Sequence, residues 1–258
     1  MSQLFNISRF GRLFSKHTTE HAGGYLLATG VLLGGLGLVL GIVAYESSGP
    51  ITPDIQAVIF VMGLLPAGAF FTSTVFATFG DHKQATAALM LPASQWEKYL
   101  VGWLYALPIF LAVYVGCFYL IDGVVLQLDG GLGRPTTLVP LFSNESKLYY
   151  SFLVYAVVSA VFLWGSIFFV KQHFIRTAFG LLLAAVLLSL LNTQVVQSLV
   201  GREVSGVLPF AGMNFQEGKD WHSVNLSVMQ NGRFLVVPLG LLLLGWAAAY
   251  VRLKEKQI

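Results

Sequence analysis

Three groups of residues in this 258-residue chain have types and spacings that suit chemistry. The first is His17-Thr18-Thr19-Glu20-His21, which matches H-x-x-E-H, the inverted zinc-peptidase pattern. On a helix the two imidazoles stand one turn apart and could share a zinc ion, with Glu20 as general base and Glu97 as a third ligand from the same membrane side. Three fixed positions in five arise often by chance, however. Ala22-Gly23-Gly24 follows immediately, and His82, His173 and His222 supply no further ligand spacing. The histidines therefore read first as interfacial polar residues, with no catalytic residue, metal or cofactor assigned and a zinc peptidase kept as the third reading of function.

The second group is intramembrane. Thr72, Ser73, Thr74 and Thr78 interrupt one apolar run, and Ser189, Asn192, Thr193, Gln194 and Gln197 interrupt another. These side chains either line a route or subunit interface, or bond between helices, where each pair contributes well under 2 kcal/mol. The third group is the segment from Gly80 to Lys98. Asp81 caps a short helix with Gln84 three residues on, and Ala85, Ala88, Leu89 and their neighbours are good helix formers. Leu91-Pro92 stops that helix. Ser94-Gln95-Trp96-Glu97 is a capping box that starts the next one. Such a small helix with an apolar edge is either a docking element or a loop resting on lipid headgroups.

The elements that carry these groups follow from composition. Hydrophobic residues are 56% of the chain and charged ones 10%, where a soluble domain has roughly 25% charged. Six runs satisfy the span length rule: Gly24–Tyr45, Ala57–Phe79, Tyr99–Ile121, Tyr149–Val170, Ala178–Leu199 and Phe234–Val251. None contains Asp, Glu, Lys or Arg. Backbone in hydrocarbon must bond to itself, so the fold class expected is an all-α membrane protein with six transmembrane helices in a single domain over residues 1–258. Pro66 and Pro108 should kink their helices. Ten of the 15 Lys and Arg residues fall at the ends and in the even-side loops (Arg9, Arg12, Lys16, Lys83, Lys98, Lys171, Arg176, Arg252, Lys254 and Lys256). The positive-inside bias therefore puts both termini in the cytoplasm.

Between the spans, the short connection Lys171–Thr177 predicts that spans four and five pack as an antiparallel pair. Asp122–Leu148 and Val200–Arg233 read as long outer segments, the second with a moderately apolar piece from Val204 to Phe215. In the leader, residues 1–23, Ile7, Phe10, Leu13 and Phe14 lie opposite Arg9, Arg12 and Lys16, the pattern of a helix lying in the inner headgroup layer. No G-x-x-x-x-G-K-[ST] loop occurs, so the chain has no ATP site of that kind. No acidic residue lies within the six runs, which leaves proton relay without an intramembrane carboxylate.

Leu91-Pro92-Ala93-Ser94 followed by Glu97-Lys98 resembles the cytoplasmic loop of ABC-2 type transporter permeases, as does the order of basic amphipathic leader, six spans, loop after span two and long outer segment before span six. The resemblance implies an elbow helix in the leader. It also implies a coupling helix in the loop 80–98 (Asp81, Gln84, Ala85, Ala88, Leu89, Leu91, Pro92, Ser94 and Glu97) that docks on a separate ABC ATPase subunit. Short re-entrant helices are implied for the outer segment, and Val204–Phe215 could supply them. The implied partners are that ATPase, a second permease subunit and the lipid bilayer, with no nucleic acid. The implied location is a bacterial inner membrane and the implied activity ATP-driven export. In place of the family's common arginine, the loop has little basic charge after Leu-Pro. A membrane scaffold or regulatory subunit without transport is the alternative.

Overall fold

The computed structural model describes residues 5–47, 51–75, 94–130, 137–143, 148–169, 172–200, 204–205, 213–217, 220–224 and 235–255. The helices are α1 (Ile7–Glu46), α2 (Pro53–Val75), α3 (Gln95–Leu104), α4 (Phe110–Gly130), α5 (Tyr149–Phe168), α6 (His173–Val200) and α7 (Val236–Glu255). A single π-turn, Tyr105–Ile109, joins α3 to α4, so the pair makes one crossing. Among the described residues six helices are long and apolar enough to cross a membrane, one for each expected run.

The helices depart from the expected runs in several places. The leader and span one form one helix of 40 residues, running through Gly23 and Gly24 without a break. At about 1.5 Å per residue it is roughly 60 Å long, twice a hydrocarbon core. Its leader face is covered by protein: Phe10, Leu13 and Phe14 pack on a cluster that includes Tyr99, Tyr105, Leu163 and Leu253, while Ile7 stays exposed. Crossing three continues past Ile121 to Gly130, which brings Asp122 and Asp129 into a helix. Helical hydrogen bonding does not end where hydrophobicity does, and no proline or cap intervenes there. Span five starts at His173, not Ala178. In the outer segment, Val204–Ser205 (β1), Met213–Glu217 (β2) and Asp220–Val224 (β3) form an antiparallel sheet in the order β1-β2-β3. The described parts of Val204–Phe215 are therefore strand, not re-entrant helix.

α5 is the central helix. Its Ser151, Tyr155, Ser159, Leu163 and Ile167 are all buried. Gly68 of α2 meets the Tyr155 ring so closely that a Cβ there would overlap it, and Gly165 of α5 meets Thr177 of α6 in the same way. That second contact, with Phe162 stacked on Phe174 at 5.5 Å, makes α5 and α6 the expected antiparallel pair. Gln172 closes their short turn at φ 54°, unusual for a residue with a Cβ. α6 itself is peripheral, with Leu182, Leu187, Leu191 and Val195 exposed on its surface.

The two terminal helix ends share one end of the bundle, where Phe10 and Leu253 join one apolar cluster. At the opposite end Gln56, completely buried, acts as a clasp. Its Nε2 donates to the carbonyls of Ile51 (3.3 Å) and Thr137 (2.8 Å), and its Oε1 accepts from Val139 N–H (2.8 Å). One amide thus satisfies three backbone groups.

Candidate functional site

The loop that carries most of the expected coupling residues, Asp81, Gln84, Ala85, Ala88, Leu89, Leu91 and Pro92, lies outside the described residues, as does Thr78. Its exit is described, and it forms a built joint. Ser94 is the N-cap of α3: its Oγ accepts from Glu97 N–H at 3.2 Å, and Glu97 Oε2 accepts from Ser94 N–H at 2.8 Å. The capping box read from the sequence is present in full.

The other oxygen of Glu97 faces the leader. Glu97 Oε1 accepts from Asn6 N–H at 2.8 Å and from Arg9 Nη2 at 3.2 Å. Asn6 is itself the N-cap of α1, its Oδ1 accepting from Ser8 N–H at 2.9 Å. One carboxylate therefore sits at the N-termini of two helices, where both macrodipoles present their positive ends. Glu97 is wholly buried, and the Arg9 side chain retains 31% of its exposure. A buried charge is tolerated because it is paired and its lone pairs are filled.

The far side of α3 is gripped by α7. Trp96 stacks on Tyr250 at 4.0 Å, Tyr99 Oη donates to the Trp246 carbonyl at 3.1 Å, and Trp103 meets Trp246 edge-on at 5.3 Å. The first turns of α3 are thus held between the chain's first and last helices. Above them lies the π-turn with Pro108. Proline lacks the N–H for an α-helical bond and clashes with the preceding turn, and the wider turn relieves both problems. The expected kink takes this form. The freed Ala106 carbonyl accepts from Tyr155 Oη at 2.5 Å, and Tyr105 Oη meets Thr18 Oγ1 at 2.5 Å. Tyr105 also stacks with Phe14 (5.2 Å) and Tyr25 (5.1 Å), which extends the leader's hold on this crossing.

The residues of the zinc pattern are engaged with different partners. His17 and His21 stack at 4.4 Å, but His17 Nε2 is hydrogen-bonded to Tyr25 Oη at 2.7 Å and His21 Nδ1 lies 3.1 Å from the His17 carbonyl. Glu20 pairs with Lys16 at 3.7 Å, with both side chains about half exposed. Glu97 is committed to Asn6, Arg9 and Ser94. Among the described residues no three His, Cys, Asp or Glu side chains group as metal ligands.

This chain matches no protein-family model, no curated protein and no solved structure.

The intramembrane polar residues do not converge. Thr72 is buried between α2 and α5, 3.4 Å from Tyr155 Oη, so it bonds between helices. Thr74 Oγ1 donates to its own helix at Phe71 O, 2.7 Å. Ser189, Asn192, Thr193 and Gln197 form a half-buried stripe on α6, with Thr193 donating to Ser189 O at 2.9 Å. Thr72 and this stripe lie near the C-terminal ends of antiparallel helices, hence at opposite ends of the bundle. Sequence reasoning missed Asn6, Arg9 and Tyr250 as partners of α3, and Tyr105 as a partner of α1. The only local signal was Asn6 ahead of a helical run, an N-cap signature.

Proposed function

We propose that this chain is the membrane-spanning subunit of an ATP-driven ABC-2 type exporter in a bacterial inner membrane, with both termini in the cytoplasm. A separate ATPase would dock on the loop 80–98, and a second permease subunit would complete the pore. The observation that carries the reading is the Glu97 joint. The resemblance requires force applied to the loop after span two to reach the bundle, and the last residues of that loop are tied at once to the leader and to the last helix. Pulling on the loop would move α3, and Glu97 would carry α1 with it, while the Trp96–Tyr250 stack would carry α7. The π-turn gives this crossing a place to bend without breaking the apolar core above it. The exposed apolar surface of α6 suits lipid and a second subunit.

Ala88→Glu tests the docking. A charge forced into an apolar contact costs on the order of 1–3 kcal/mol, or roughly a 5- to 150-fold weaker affinity. The expected result is loss of the co-purifying ATPase and of its stimulated hydrolysis, with normal membrane insertion. Unchanged association and hydrolysis after substitutions at Ala85, Ala88 and Leu89 in turn would remove the reading.

A further inference from the structure

At the end of the bundle opposite the termini, Asp122 is completely buried, and among the described residues neither carboxylate oxygen has a hydrogen-bond partner. The face of α4 that carries it is well defined. Tyr114 Oη donates to Phe60 O at 2.8 Å, and Phe118 meets the Phe60 ring at 5.0 Å. One turn further along α4 is Asp122; one turn further along α2 in the same direction is the clasp residue Gln56. The neighbour Ile121 touches Gly37 of α1, where a Cβ would stand 3.8 Å away. Tyr119 on the adjoining face donates to Val139 O at 3.0 Å. These neighbours place Asp122 on α4 beside contacts to α1, α2 and the strap 137–143, just past the apolar run that ends at Ile121.

An ionised carboxylate needs a cation or several N–H donors to remain buried. Neither is present among the described residues. Gln56 has already given both of its N–H donors to Ile51 and Thr137. The charged groups on the packed elements at this end are Glu46 of α1, Asp54 of α2 and Asp129 of α4, all acidic, and the strap 137–143 has none. Like charges oppose ionisation as burial does. We propose that Asp122 is a proton-binding site, held as the neutral acid while the clasp is closed and releasing its proton when the strap and α1 part from α4. Its ligand is the proton itself, and the inference stands apart from the transporter reading: it requires only the packed outer end. The basic residues Arg134 and Lys147 lie outside the described residues, and an ionised Asp122 paired with either is the competing arrangement.

Infrared spectra of the full-length protein in lipid separate the two, because a protonated carboxylic acid has a carbonyl band that a carboxylate lacks. The expected band is present at about pH 5.5, is lost in Asp122→Asn, and persists in Asp129→Asn. Asp122→Glu, which keeps an acid in place, shifts the band instead of removing it, and serves if the Asn variant does not fold. On raising the pH the band should decay about tenfold per pH unit beyond its midpoint. Wild-type protein without a protonated-acid band at about pH 5.5, or a band that neither Asp122 variant alters, overturns the proposal.

Discussion

Replacing Glu97 with alanine tests whether one carboxylate holds two helix starts together. The capping box contributes about 1 kcal/mol. The Asn6 N–H, left without its acceptor beside a buried site, costs about 1–3 kcal/mol. The Arg9 pair adds less than about 1 kcal/mol, since the guanidinium is partly wet. Together these come to about 3 kcal/mol, and for a chain of this size that lowers the melting temperature by about 6–12 °C. Cys117, buried between helices, is the chain's only cysteine and a natural reporter: a thiol-reactive dye lights up as the bundle opens. The expected order of loss is Glu97→Ala, then Glu97→Gln, which keeps the cap but loses the charge, with Arg9→Ala mildest. A Glu97→Ala protein that melts no lower than Arg9→Ala would refute the argument, because neither the cap nor the Asn6 contact would then contribute.

Two further outcomes follow from packing and charge. Gly68→Ala places a methyl into the Tyr155 ring, which is fully buried and pinned by its bond to Ala106 O, so overpacking should cost about 1–3 kcal/mol in the same melting assay. Gly30→Ala, with open space at its Cβ, should be neutral or slightly stabilising. For sidedness, cysteines placed at Gln3 and Gln257 in a Cys117→Ala background should resist an impermeant thiol reagent in intact cells, while cysteines at Gly131 and Gly218 react. Labelling of both termini from outside would reverse the proposed orientation.

The crossings were legible because hydrocarbon imposes a rule that acts residue by residue. An uncharged apolar run of sufficient length has to be a helix, wherever its neighbours lie. The Ser94–Glu97 box was legible for the same reason: its partners are three residues apart, and the pattern is local. The short 171–177 connection also told which two helices pair. What failed was whatever hydropathy alone was asked to decide. It ended span three at Ile121 and separated leader from span one at Gly24, but α1 and α4 continue through both points, since backbone bonding is indifferent to the polarity of the side chains. It put Asp122 at the start of an outer segment, yet tertiary packing buries it. The most consequential contacts join residues with no local relation: Glu97 to Asn6 across 91 positions, Gln56 to Val139 across 83, and Tyr99 to Trp246 across 147. Each is a polar group whose desolvation must be compensated by whichever partner the chain brings alongside it. That partner is chosen by helix packing in three dimensions, and no spacing along one sequence encodes it.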